Sequence, residues 1–270
     1  MKQRGYVAKQ ALGQHFITDE ALLDELVALS DVGIEDAVFE IGPGLGGLTA
    51  AIAKKVRELI TLEVDEDLLP ILRVTLHGLD NVQLVHGDVM QVDLPRLLAP
   101  LGPFHVIANL PYYLTTPILN LLLNLPLPIK SLNVMVQREA AERILALPGT
   151  PAYGPLAILA QYRALPRLAR DIPRGAFHPP PKAESVFVTM PLRQAPAVKV
   201  AAEKLFFRLV QAAFAMRRKT LLNNLMPAFQ LSRDQAQAAL SQAGLDLKVR
   251  GEALDMAQLG RLADVLAQGR

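Results

Sequence analysis

The sequence predicts an α/β protein, with a doubly wound parallel sheet followed by a small all-α part. Three observations carry that prediction. Short, nearly continuous apolar runs alternate with helix-period segments through the first two thirds of the chain. A glycine-rich turn joins the first such run to a helix, and beyond about residue 192 only helical periodicity remains. Strands apolar on both faces are what a covered parallel sheet requires, because neither face meets water.

Taken in order, DEALLDELVAL (19–29) has helical spacing, and AVFEIG (37–42) is a buried strand ending in glycines. GLTAAIAKKV then reads as a helix, ELITLEVD (58–65) as a strand and DLLPILRVTL as a helix. Further strands are expected at VQLVHGD (82–88), FHVIANLP (104–111), SLNVMVQR (131–138) and SVFVTM (185–190). Residues 163–182, with five prolines, are too broken for a long helix. The remainder reads as a helix over 202–225, a second opened by the capping-box pair Ser232 and Gln235, and a last one in LDMAQLGRLADVLAQG. One domain is therefore expected over 1–191 and a helical one over 192–270.

The 270 residues contain no cysteine, which excludes disulfides, thiolate nucleophiles and cysteine-ligated metals. The five histidines have no ligand spacing, so no metal is expected. Residues 97–129 lack Asp, Glu, Lys and Arg, but six prolines break the run and no membrane span is expected. The N-terminus has no secretory pattern, so the expected location is the cytoplasm. Charge is polarised: residues 11–96 hold 16 acids and 5 bases, residues 130–219 hold 15 bases and 5 acids. That distribution suits a protein binding a cationic or hydroxyl-rich small molecule with one part and a polyanion with the other.

Chemistry concentrates at the strand ends, where doubly wound sheets bind ligands. Gly42-Pro43-Gly44-Leu45-Gly46-Gly47 matches a cofactor-binding turn, and Glu63 ends the next strand, placed to hold a ribose. Glu40 and Asp88 add carboxylates facing amino groups. Several carboxylates around a glycine loop repel a pyrophosphate and favour a phosphate-free, positively charged nucleoside, which describes S-adenosylmethionine. A nicotinamide cofactor is the alternative that the glycine loop alone leaves open. Asn109-Leu110-Pro111-Tyr112 suits an exocyclic amine: the Asn109 oxygen and the Pro111 carbonyl accept its N–H groups while Tyr112 stacks on the ring.

ALGQHF (11–16), EIGPGLGGLT (40–49), LEVD (62–65), GD (87–88), NLPYYLTTPIL (109–119), MVQREAAERI (135–144), FHPPPKAESV (177–186) and AFAMRRKTLLNNL (213–225) occur in that order. With them the sequence resembles the KsgA family of ribosomal RNA small-subunit adenine N6,N6-dimethyltransferases over nearly its whole length. The resemblance implies a Rossmann-like methyltransferase domain with a small helical domain, acting on two adjacent adenines in a hairpin near the 3′ end of 16S rRNA. It implies cofactor contacts at His15, Ile17, Gly42, Glu63, Asp88 and Asn109, joined by Glu40 and Gly44 from the residue reading. The target base would sit between Tyr112 and Phe177. The family usually has Asn at the position of His15 and Leu at that of Ile17. Related enzymes acting on 23S rRNA usually carry Ile where this chain has Leu110, which favours the small-subunit substrate.

Phosphate contacts are expected from Arg217, Arg218 and Lys219, from Arg174 and Lys182 beside the proline loop, from Arg163, Arg167 and Arg170, and from Lys2, Arg4 and Lys9. A monomer is expected, so that this basic surface stays free. A ribosome-binding assembly factor whose methyl transfer is dispensable is the competing function of another class.

Overall fold

The structure, a computed structural model, describes Lys9 and residues 14–268. In chain order the elements are β1 (Phe16–Ile17), α1 (Glu20–Leu29), β2 (Ala37–Ile41), α2 (Gly47–Ala53), β3 (Glu58–Glu63), α3 (Leu69–Thr75), β4 (Val82–His86) and α4 (Leu94–Leu98). They continue with β5 (Phe104–Asn109), α5 (Thr115–Asn124), β6 (Ile129–Gln137), α6 (Arg138–Leu145), α7 (Pro155–Arg163), β7 (Arg167–Ile172), β8 (Phe177–His178) and β9 (Ser185–Pro191). The last four are α8 (Glu203–Ala215), α9 (Leu221–Phe229), α10 (Arg233–Gln242) and α11 (Met256–Gln268).

Seven strands form one sheet in the order β4-β3-β2-β5-β6-β9-β7. The first five are parallel, β9 runs antiparallel to them, and β7, antiparallel to β9, shares their direction. AVFEI of β2 is buried at every position, as its central place demands. Register sets Glu40 opposite Thr61, Glu63 opposite His86 and Asn109 opposite Met135. The carboxyl ends of β2, β3 and β5 thus arrive together. Helix α1 starts where the Asp19 carboxylate accepts from the Leu22 N–H at 3.1 Å, and it buries Leu22, Leu23, Leu26 and Val27.

Within 163–182, expected to be irregular, the structure forms the edge strand β7, a short 3-10 turn and β8. An outer strand tolerates the charges of RLARDI because only one of its edges is paired. The charge-free stretch 97–129 holds β5 and α5. Among the described residues no helix is long and apolar enough to cross a membrane.

The chain divides into two compact units: residues up to Ala141 with Ala164–Leu192, and Glu142–Arg163 with the residues from Arg193 onward. The single boundary expected near 192 is joined by an earlier excursion. Helix α7 explains it, because Leu156, Ala157, Ile158, Leu159, Ala160 and Tyr162 are all buried and such a helix needs cover on every side. Ala157, Ile158 and Tyr162 share one core with Phe206, Leu209, Leu225, Leu240 and Leu262.

The helix expected over 202–225 is broken into α8 and α9. Asn224, buried in α9, turns its amide back onto the carbonyls of Ala213 and Met216, at 3.1 and 3.4 Å, while the Leu221 N–H donates to the Val249 carbonyl. Gly251 packs so tightly that a Cβ there would lie 2.2 Å from the Ala213 carbonyl oxygen. The capping box of α10 forms as expected, with Ser232 and Gln235 exchanging hydrogen bonds.

Candidate active site

A cleft partly open to solvent lies over the carboxyl ends of β2, β3 and β5. Its wall includes His15, Ile17, Gly42, Gly44, Glu63, Asn109, Leu110, Pro111 and Tyr112. Gly42, Gly44 and Gly46 have φ of +72°, +59° and +87°, a region that L side chains rarely adopt. At Gly44 the space is also taken, since a Cβ would come within 2.7 Å of the Phe16 ring.

Glu63 is 3% exposed, and its two oxygens accept from backbone N–H groups, Gly44 at 3.2 Å and Asp65 at 2.8 Å. Burial pushes its pKa above the usual carboxylate range, against the pull of those two donors. Each oxygen keeps a lone pair, which suits vicinal hydroxyls. Among the described residues no Lys or Arg lines the cleft, so these offer no countercharge to a pyrophosphate. The donor set therefore fits a phosphate-free nucleoside cation: Glu63 for the ribose, and Val64, Leu45 and Leu48 as apolar wall.

Two expected cofactor residues lie elsewhere. Glu40 is wholly buried behind the wall, where one oxygen accepts from the Thr61 hydroxyl at 2.7 Å and the Thr49 hydroxyl also acts on the carboxyl. Desolvation pushes its pKa up to about 7. Central strand β2 points this side chain into the interior, a placement its proximity to the glycines did not reveal. Asp88 does not line the cleft, and its carboxylate closes its own turn by accepting from the Met90 N–H and the Gln91 amide, both at 2.9 Å.

At the end of β5 the Asn109 amide nitrogen donates to the His15 carbonyl at 2.9 Å, which leaves its oxygen as the acceptor toward the cleft. The Pro111 carbonyl, expected to be free, accepts instead from the Leu114 N–H at 3.0 Å and the Thr115 hydroxyl at 3.3 Å, because a 3-10 turn follows at once. Among the described residues no turn or loop backbone N–H donates to the Leu110 carbonyl, and Leu110 lines the cleft. The Tyr112 hydroxyl is 2.7 Å from Ser185 Oγ, and burial raises its pKa.

Phe177 is 3% exposed, packed with Leu22, Leu26, Met135 and Phe187, and does not line the cleft. Its strand β8 pairs with β1, setting Ile17 opposite Phe177. The imidazole of His15 neighbours both the Tyr112 and the Phe177 rings. A clasp that the sequence did not reveal holds the same segment: Lys9 Nζ lies 2.6 Å from both Asp65 and Asp67, and the Gln14 amide donates to Asp65 at 2.8 Å. These bonds, chiefly that to Asp65, hold the lysine pKa above its ordinary value.

The expected phosphate-binding cations separate into engaged and exposed groups. Arg163 pairs with Glu203, Arg170 with Glu25, Arg167 donates to Thr189, and Arg174 donates to the Pro181 carbonyl at 2.9 Å, bracing the proline loop. Arg217 donates to the Pro151 carbonyl at 2.8 Å, while Arg218, Lys219 and Lys182 are exposed. Lys2 and Arg4 lie outside the described residues. Among the described residues no group of three His, Cys, Asp or Glu is placed to hold a metal.

Comparison with known proteins adds the family. Residues 6–268 match the family described as ribosomal RNA adenine dimethylase. The chain is 43% identical to the ribosomal RNA small subunit methyltransferase A of Shouchella clausii, over 98% of this chain and 92% of that one, and 42% identical to its namesake in Streptococcus gordonii, over 98% and 94%. Among solved structures it resembles a dimethyladenosine transferase from Plasmodium falciparum, with TM-score 0.79 and 22% identity over 92% and 96% of the two chains. It also resembles the 23S rRNA methyltransferase ErmE, with TM-score 0.70 and 25% identity over 94% and 100%. With the Rossmann-like fold, the glycine loop and the Asn109–Tyr112 turn in one cleft, the chain belongs to the ribosomal RNA adenine dimethylase family.

Proposed function

We propose that this enzyme transfers methyl groups from S-adenosylmethionine to the N6 amines of two adjacent adenosines in a 3′-terminal hairpin of 16S rRNA, during assembly of the small subunit in the cytoplasm. The observation that carries the reading is the Asn109–Tyr112 turn sharing one cleft with Glu63 and the glycine loop. S-adenosylmethionine supplies, when bound, an electrophilic methyl group.

An adenine N6 amine is a weak nucleophile because its lone pair is delocalised into the ring. Asn109 Oδ1 and the Leu110 carbonyl accept its two N–H groups, which orients the nitrogen, and Tyr112 supports the ring face. The His15 carbonyl fixes the Asn109 amide in the orientation this needs. Positioning by groups already held in place carries the rate, and the amine's proton leaves after transfer without a tuned base. Glu63, with both oxygens aligned by backbone donors, holds the ribose; the apolar residues beside it exclude water.

Taking an adenine out of structured RNA costs a few kcal/mol, which an aromatic face offsets in part. The helical part, 192–270, is the RNA-binding domain on this reading, with Arg217, Arg218 and Lys219 against phosphates; on the methyltransferase unit, separately, Lys182 and Arg174 of the proline-loop segment are phosphate contacts on the same reading. The enzyme acts as a monomer.

The test is methyl transfer from labelled S-adenosylmethionine to small and large subunits that lack their modifications, with the labelled base then mapped. Dimethyladenine in the small subunit is expected. Label confined to the large subunit points to a 23S substrate, and cofactor binding without transfer to either points to an assembly factor. Tighter binding of NADH than of S-adenosylmethionine overturns the cofactor.

A further inference from the structure

The cleft-facing Tyr112 ring and the buried Phe177 ring both neighbour one side chain of the protein itself. The His15 imidazole lies nearly parallel to the Tyr112 ring, centroids 5.7 Å apart at 25°, and edge-on to Phe177 at 6.4 Å and 81°. Both are favourable aromatic arrangements. Its Nδ1 lies 2.7 Å from the Pro179 carbonyl oxygen, an acceptor only, so Nδ1 carries the proton and donates. The backbone that follows is tied down separately: the His15 carbonyl accepts from Asn109, and Phe16 and Ile17 pair with His178 and Phe177. The ring can therefore move about its side-chain torsions without the strand leaving.

We propose that His15 is an internal stand-in for the target base, closing the slot until RNA arrives. A planar ring stacked on Tyr112 and donating one N–H to a backbone carbonyl reproduces what an adenine would bring. Entry of the flipped base exchanges one stacked ring for another, so Tyr112 keeps a partner throughout. A base that stacks poorly displaces the imidazole less readily, which makes His15 a specificity-determining residue acting through Tyr112. The inference rests on the reading of the Asn109–Tyr112 turn as the base site.

Two measurements on the full chain test it. Removing the ring in His15→Ala lowers the KM for RNA about 2- to 10-fold, the range that one aromatic pair is worth. In proton–nitrogen spectra of the imidazoles, the His15 resonance, identified by its loss in that variant, is displaced upfield by Tyr112 in the free protein. A short RNA hairpin with two adjacent unmethylated adenines returns it to the position of an exposed histidine, whereas the same hairpin with uracils in their place does not. An RNA KM unchanged or raised in His15→Ala overturns the proposal, as does an imidazole resonance that stays put when the adenine hairpin binds. A rise confined to the KM for S-adenosylmethionine assigns His15 to the cofactor and also overturns it. The underlying reading of the site fails on a different result, the absence of methyl transfer to adenine by the unaltered chain.

Discussion

At the amino ends of the central strands, Asp36, His105, Lys130, Ser131 and Asn133 answer one another, whereas at the carboxyl ends Glu63, Asn109 and Leu110 keep acceptors open to a cleft. Asp36 accepts from Lys130 and from the Gly33 N–H, and His105 Nδ1 and the Asn133 amide both reach Ser131 Oγ at 2.7 Å. His105 Nε2 is 3.4 Å from Asp36, near enough for attraction although it makes no hydrogen bond. The same strands thus end in a network bonded within the protein, apart from His105 Nε2, at one end and in hydrogen-bonding capacity turned to a cleft at the other. Buried polar groups without partners are costly, so the open edge marks where a ligand is expected to complete the set.

Breaking the open edge has the largest effect. Asn109→Ala removes a preorganised acceptor and should lower the transfer rate about 10²- to 10³-fold, while thermal unfolding changes little. A rate within threefold of the unaltered chain would sink the positioning argument.

Glu40 comes next. With its pKa raised from 4.5 to about 7, the folded state holds a proton that the unfolded chain releases, so this contribution is present below pH 4.5 and is lost as pH rises to 7. Glu40→Gln should remove that decline, a difference on the order of a few kcal/mol above pH 7, measured by denaturant unfolding across pH. Parallel curves for the two proteins would exclude it.

The closed edge titrates with the opposite sense. Burial lowers the His105 pKa below 6.5, so its contribution is present above pH 6.5 and is lost as pH falls below it. His105→Gln should flatten the acid side of the stability curve, by less than Glu40→Gln flattens the neutral side.

Pairing should also decide which cations matter to RNA. Replacing Arg217 and Arg218 by Ala should reduce the slope of log affinity against log salt by about 1 to 2. Arg170→Ala, whose guanidinium faces Glu25 at 3.2 Å, should leave it unchanged. Equal slopes in all three proteins would remove the helical part from the RNA footprint.

Much of the sheet was legible because its signal is local. Continuous apolar runs placed five parallel strands and β9, and Gly42, Gly44 and Glu63 stand on the cleft wall as their positions in the motif implied. β7 was not legible, since RLARDI has the composition of a loop and becomes a strand only beside β9. The break between α8 and α9 was equally hidden, because it depends on Asn224 and on contacts from Val249 and Gly251, residues distant in sequence.

The sequence by itself determined the fold class, the glycine turn, the carboxylate at the end of β3 and the amide–proline–tyrosine turn at the end of β5, since each is written within a few consecutive residues. Only the tertiary structure decided that Glu40 faces inward, that the Asp88 carboxylate closes its own turn, that the Pro111 carbonyl is engaged, and that the His15 ring stacks on Tyr112 and meets Phe177 edge-on. Those outcomes depend on where a side chain or carbonyl points and on which partner reaches it first: for Glu40 and His15 the partners come from segments tens of residues away, and for Asp88 and Pro111 from the turn that follows each of them.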